Sequence, residues 1–130
     1  MTQIKSYTDI EQSKKLAEFI PCDTADFCWG IDDKTLHYNK YPYPMPWKDY
    51  SSKENYVPCW TLAALIDVLP KNIKSSFGEI NPFVGQVGIK DYRCVYLYGD
   101  WCSDIQTFAK NPIDACYAMV LKLHELNLLS

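Results

Sequence analysis

Six cysteines, two histidines and sixteen acidic residues are the groups in this 130-residue chain that could do chemistry. A cysteine nucleophile needs a base within hydrogen-bond reach and a third group to orient that base. Cys59, His37 and Asp67 form the set that can be assembled around an irregular, aromatic-lined region. The competing reading of Cys59 is inert burial, because a thiol with apolar neighbours behaves as a small hydrophobe. Zinc asks for four ligands, usually in close pairs such as CxxC. The nearest pairs, Cys22 with Cys28 and Cys94 with Cys102, do not have that spacing, and the two histidines, His37 and His124, lie far apart in sequence. No metal, no cofactor and no catalytic residue is expected. Gly85 and Gly88 in "GQVG" lack the flanking strand, helix and further glycine of a dinucleotide fingerprint, and read as a bulge or a close backbone contact. Asp32 and Asp33 suit a turn, and His124 suits the negative end of a helix.

The other concentration of functional side chains is aromatic. Ten tyrosines and four tryptophans are present, and seven of these fourteen fall between Trp29 and Tyr56. Each offers an apolar face with a polar tip, the combination that serves interfaces and stacking pockets. Tyr41, Tyr43, Trp47, Tyr50 and Trp60 are therefore the expected binding residues. The prolines at 42, 44 and 46 pre-order that run in an extended form. The same residues could instead close one face of a sheet.

The elements that would position these groups follow from patterning. Thr8, with Glu11 three residues on, predicts a capping box and a peripheral helix from about 9 to 20, ended by Pro21. Phe27 to Ile31 and Thr35 to Tyr38 predict a short hairpin. In "VPCWTLAALIDVLP", Thr61 can cap a helix in which Leu62, Leu65, Ile66 and Leu69 share a face. Pro70 stops that helix, and Trp60 can staple onto Leu65. "FVGQVGIKDYRCVYLYG" predicts two strands reversing at "IKDY", with Tyr92, Cys94, Tyr96 and Tyr98 on one face and Arg93, Val95 and Leu97 on the other. Asn111 caps a final helix from about 112 to 126, with Pro112 at its first position and Ile113, Cys116, Met119, Val120, Leu123 and Leu126 forming its apolar stripe. The expected fold is α+β: a small antiparallel sheet with two or three helices packed mainly on one face, in a single domain of residues 1–130.

Length and charge limit the function classes. A chain of this size buries roughly two-thirds of its unfolded surface, and 48% hydrophobic against 22% charged residues is far from disorder. A net charge of −3 and a single arginine, Arg93, make nucleic acid an unlikely partner. No export signal or membrane-length apolar run is present, so a cytoplasmic location with reduced thiols is expected.

Taken together, "SKKLAEFI…TADF", "YPYPMPWKDYSSKENYVPCWTLAALIDVLP" and "NPIDACYAMVLKLHELNLL" resemble a group of small, functionally uncharacterised proteins of Bacteroidetes genomes, prophages and mobile elements. The likeness spans most of the chain and is least between Lys74 and Lys110. It implies a phage-associated accessory protein that acts by binding, and carries over no activity and no site residue. Three readings follow: a protein-interaction module using the aromatic, proline-rich surface, with a protein partner or a second copy; a binder of a small ligand, such as a nucleotide; and a cysteine-dependent enzyme. A flat aromatic patch favours the first, a deep pocket with convergent polar groups the second, and a juxtaposed Cys and His the third.

Overall fold

A computed structural model describes residues 5–30, 42, 56–76 and 78–129. Along the chain lie α1 (Ile10–Leu16), a 3₁₀ turn (Cys22–Thr24), β1 (Phe27–Gly30), β2 (Tyr56–Cys59), α2 (Leu62–Val68), β3 (Ile73–Ser75), β4 (Gly78–Val87), β5 (Asp91–Tyr98), β6 (Trp101–Ala109) and α3 (Pro112–Glu125). Among the described residues β1 and β2 pair alone, and β3, β4, β5 and β6 form an antiparallel meander in that order. The fold is α+β with antiparallel pairing and three α-helices, as the sequence predicts, but the described strands form two sheets, of two and four strands, where one was expected. Contacts divide the chain into two compact units, Ser6–Ala64 and Met1–Lys5 with Leu65–Ser130.

In the unit Ser6–Ala64, the capping box falls one residue later than expected. Asp9 accepts from the Gln12 amide at 2.8 Å, and the Gln12 side chain accepts from the Asp9 amide at 3.1 Å. Thr8 does not cap because its hydroxyl is engaged elsewhere: it accepts from the Trp60 amide at 3.1 Å and lies 2.7 Å from the Ser13 hydroxyl. Helix α1 ends at Leu16, short of residue 20, and the chain goes on in single turns whose amides, at Phe19 and Ile20, return to the Leu16 carbonyl. Leu16 and Ile20 are buried, and α1 packs on β2, so the segment is core and not periphery. Strand β1 pairs with β2, from Phe27 opposite Cys59 to Gly30 opposite Tyr56. The expected hairpin partner at 35–38 lies outside the described residues. Among the described residues each strand of this pair has an unpaired edge, where Pro58 is tolerated. Tyr7 stacks on Phe27 and meets Trp29 edge-on, with ring centres 5.6 Å apart in the second pair.

Helix α2 starts where predicted. Thr61 accepts from the Ala64 amide at 3.4 Å, while its own amide and hydroxyl both donate to the Asp26 carboxylate. Leu65 and Leu69 are buried but Ile66 is exposed, so the apolar stripe is narrower than the sequence pattern. At the other end Lys71 donates to the Ile66 carbonyl at 3.0 Å, satisfying one of the orphan acceptors of a helix terminus.

In the meander, β4 and β5 are the two expected strands, with Asp91 opposite Val87 and Asn81 opposite Leu97. The reversal is shorter than "IKDY", because Asp91 and Tyr92 already belong to β5 and Gly88 makes the turn at φ +69°. No bulge occurs at Gly85; there the Phe83 ring lies so close that a Cβ would sit 2.6 Å from it. Pro82 fits within β4 because β3 pairs only as far as Ile80, and no other described strand pairs on that edge. Strand β6 was not foreseen. The register puts Val84, Cys94 and Thr107 side by side on one face, and α3 packs there: Thr107 donates to the Ala115 carbonyl at 2.7 Å. Ile113, Cys116, Met119, Val120 and Leu123 are fully buried, as the stripe predicts, whereas Leu126 is exposed. Asn111 caps α3 by accepting from the Asp114 amide at 2.8 Å. The helix closes in a Schellman motif, with Asn127 at φ 58° and the Leu128 amide on the Leu123 carbonyl at 2.8 Å.

Candidate functional site

The site is built at one end of the meander by a two-residue turn. Tyr98 and Trp101 face each other across Gly99 and Asp100, and Gly99 supplies the positive φ of +58° that such a turn requires. Residues directly opposite on antiparallel strands have Cβ atoms roughly 4.5–5.5 Å apart, so the two aromatic residues are cross-strand neighbours. Gly78, at the start of β4, makes room for the Tyr98 ring. Its φ is +126°, and a Cβ there would lie 2.9 Å from the Tyr98 ring. Ser75 donates to the Gly78 carbonyl at 2.7 Å and holds the end of β3 at the same place.

Beyond Trp101 the register breaks. Val95 pairs with Gln106 but Leu97 pairs with Cys102, so three residues of β6, Ser103, Asp104 and Ile105, oppose Tyr96 alone. A bulge of this kind re-aims side chains. Here the Ser103 hydroxyl accepts from the Ile105 amide at 3.1 Å and holds it. Turn and bulge together enclose a half-open cleft of about 560 Å³, lined by Ser75, Ser76, Ile80, Tyr98, Trp101 and Asp104, with Cys102, Ser103 and Ile105 completing the wall. That volume falls in the roughly 300–1,000 Å³ range of small-molecule sites. Ile80 is buried and gives the cleft an apolar floor, while Trp101 is 78% exposed. Among the described residues Asp104 is the one charged residue in the lining, and no described cation pairs with it.

Of the residues expected to bind, Tyr41, Tyr43, Trp47 and Tyr50 lie outside the described residues. Trp60 is described, and the structure corrects its assignment to a surface. It is fully buried, its indole N–H donates to Thr24 at 2.9 Å, and its amide and carbonyl are both bonded to Thr8. Three internal hydrogen bonds and complete burial make it a packing residue of its unit. His37, the base proposed for Cys59, is outside the described residues, and Asp67 is exposed on α2.

Cys59 is buried, and desolvation, only partly offset by hydrogen bonds to Thr8 and Ser13, pushes its thiol from 9.0 up to about 12. Its Sγ donates to the Thr8 carbonyl at 3.4 Å. A thiol so held stays protonated near neutrality, the opposite of what a nucleophile needs. Cys94 is likewise pushed up, by its hydrogen bond to Cys116 and by burial. Tyr96 is raised by burial, and its hydroxyl donates to the Pro70 carbonyl at 2.7 Å. Among the described residues no group of three His, Cys, Asp or Glu side chains is placed to hold a metal ion, and no helix is long and apolar enough to cross a membrane.

No family model, curated protein or solved structure matches the chain. The site therefore rests on its own geometry. Sequence patterning passed over Tyr98, Trp101 and Asp104, although "YGDW" carries a signal: a Gly-Asp pair between two aromatics marks a two-residue hairpin turn.

Proposed function

We propose that this protein works by binding and not by catalysis, and that it takes a small organic ligand in the cleft beside the β5–β6 turn. The observation that carries this reading is the cleft itself: the buried Ile80, the exposed indole of Trp101, three serines and the carboxylate of Asp104 in one lining. An apolar cavity with a few convergent polar groups is the usual form of a ligand site. A tryptophan left largely in water costs hydrophobic stabilisation that burial would have returned, and a stacking partner recovers it. Cys59, the thiol weighed as a nucleophile, supports the non-catalytic side, since burial holds it in the protonated form.

A second reading, association with a protein partner, draws on Phe83 and Phe108. Both are about half exposed, at 50% and 57%, on the sheet face away from α3. Association through the run from Tyr41 to Tyr50, in a phage or mobile-element accessory protein, belongs to this reading. Native mass spectrometry of protein purified from its host separates the two. The ligand reading expects a small added mass on the wild type that Trp101→Ala loses. An added mass that survives this substitution contradicts it.

A further inference from the structure

We infer that the ligand of the cleft is an organic cation, an alkylammonium group seated against Trp101 and Tyr98 with Asp104 as its counter-charge. This rests on the reading of the cleft as a ligand site and goes beyond it by naming the ligand's charge.

Three observations converge. The first is charge: among the described residues Asp104 is the only charged one in the lining, and no described cation neutralises it. An anionic ligand would meet repulsion there, in a protein whose net charge is already −3. The second is the pairing of two aromatic rings. Tyr98 and Trp101 are directly opposite across the turn, and both remain open to solvent, at 46% and 78%. The negative face of an indole or phenol ring attracts an ammonium within about 6 Å of its centre, and tryptophan does so best. The third is that the arrangement is held in place. Gly78 leaves room for the Tyr98 ring, and the Ser103 hydrogen bond to the Ile105 amide fixes the bulge that carries Asp104. Two aromatic faces and a carboxylate around an apolar floor suit a group that is positively charged yet clad in methyl or methylene carbons.

The test titrates choline and its uncharged isostere 3,3-dimethylbutan-1-ol into ¹⁵N-labelled full-length protein. The indole N–H of Trp101, assigned through Trp101→Phe, is followed by NMR. Choline is expected to move that signal saturably and to bind about tenfold or more tightly than the isostere. Asp104→Asn, at an exposed position where the fold is not at stake, is expected to abolish most of that preference while the isostere binds as before. A heptapeptide carrying one trimethyllysine forms a further arm. Tighter binding than choline assigns the cation to a protein side chain, and equal or weaker binding assigns it to a free amine. Equal binding of choline and the isostere, or a preference that survives Asp104→Asn, overturns the cation inference and leaves the cleft as a neutral site. If neither probe, nor a panel of neutral aromatic fragments, moves the Trp101 signal, the ligand reading of the cleft falls with it.

Discussion

Replacing Thr8 with valine removes one oxygen from the centre of the unit Ser6–Ala64 and preserves its shape. Thr8 is fully buried, and its hydroxyl accepts from the Trp60 amide at 3.1 Å, lies 2.7 Å from the Ser13 hydroxyl and donates to the Cys59 sulfur at 3.7 Å. The backbone bonds of Thr8, from its amide to the Trp60 carbonyl and to its own carbonyl from the Trp29 indole at 3.2 Å, survive the change. What is left without a partner is the Trp60 N–H and, in part, the Ser13 hydroxyl, which can turn toward a carbonyl of its own helix. A buried polar group stripped of its partner costs about 1–3 kcal/mol. Thr8→Val should therefore destabilise by roughly 2–4 kcal/mol, most of it from the amide. Urea unfolding followed by tryptophan fluorescence measures the change. Adding Ser13→Ala to Thr8→Val should cost less than the sum of the single changes, because the two hydroxyls share one bond. A loss below about 0.5 kcal/mol for Thr8→Val, or strict additivity of the pair, would refute the claim that this network holds the unit together.

Three further outcomes are expected. Leu123→Ala, in the fully buried stripe of α3, should cost about 2–5 kcal/mol in the same assay; an unchanged midpoint would show that α3 is not docked on the sheet. Gly78→Ala combines a φ of +126° with a Cβ 2.9 Å from the Tyr98 ring, so it should destabilise by about 1–3 kcal/mol and weaken ligand binding at the cleft as Tyr98 shifts. Stability should also fall as pH rises from 9.0 to about 12, the interval over which Cys59 ionises in the unfolded chain but not in the folded one. Cys59→Ala should flatten that part of the pH profile; a profile of unchanged slope would contradict the burial of the thiol.

Local signals made some elements legible and long-range ones hid the rest. Asn111, Pro112 and the stripe of α3 lie within one stretch and read correctly, and so did the Thr61 cap of α2. The cap of α1 was misplaced because Thr8 has a better use: its partners Cys59 and Trp60 lie more than fifty residues away, and no local pattern records them. For the same reason the pairing of β1 with β2, whose residues lie some thirty positions further along the chain, has no local signal. Strand β6 escaped because its bulge at Ser103 to Ile105 breaks the alternation by which a strand is recognised. The candidate site went with it, since Trp101 and Asp104 both belong to β6. Trp60 shows the converse failure. Its aromatic type fits a binding surface and a core equally well, and only its burial against Thr8 and Thr24 decides between them.

The four indole N–H signals of Trp29, Trp47, Trp60 and Trp101 in a ¹⁵N spectrum test the cleft most directly. A mixture of small neutral and cationic organic fragments is added, and the shift of each signal is measured against concentration. The cleft predicts a saturable shift at Trp101, with Trp29 and Trp60, which are buried and hydrogen-bonded within their unit, unmoved. A shift at Trp47 with Trp101 silent would contradict it and move the binding site to the aromatic, proline-rich run.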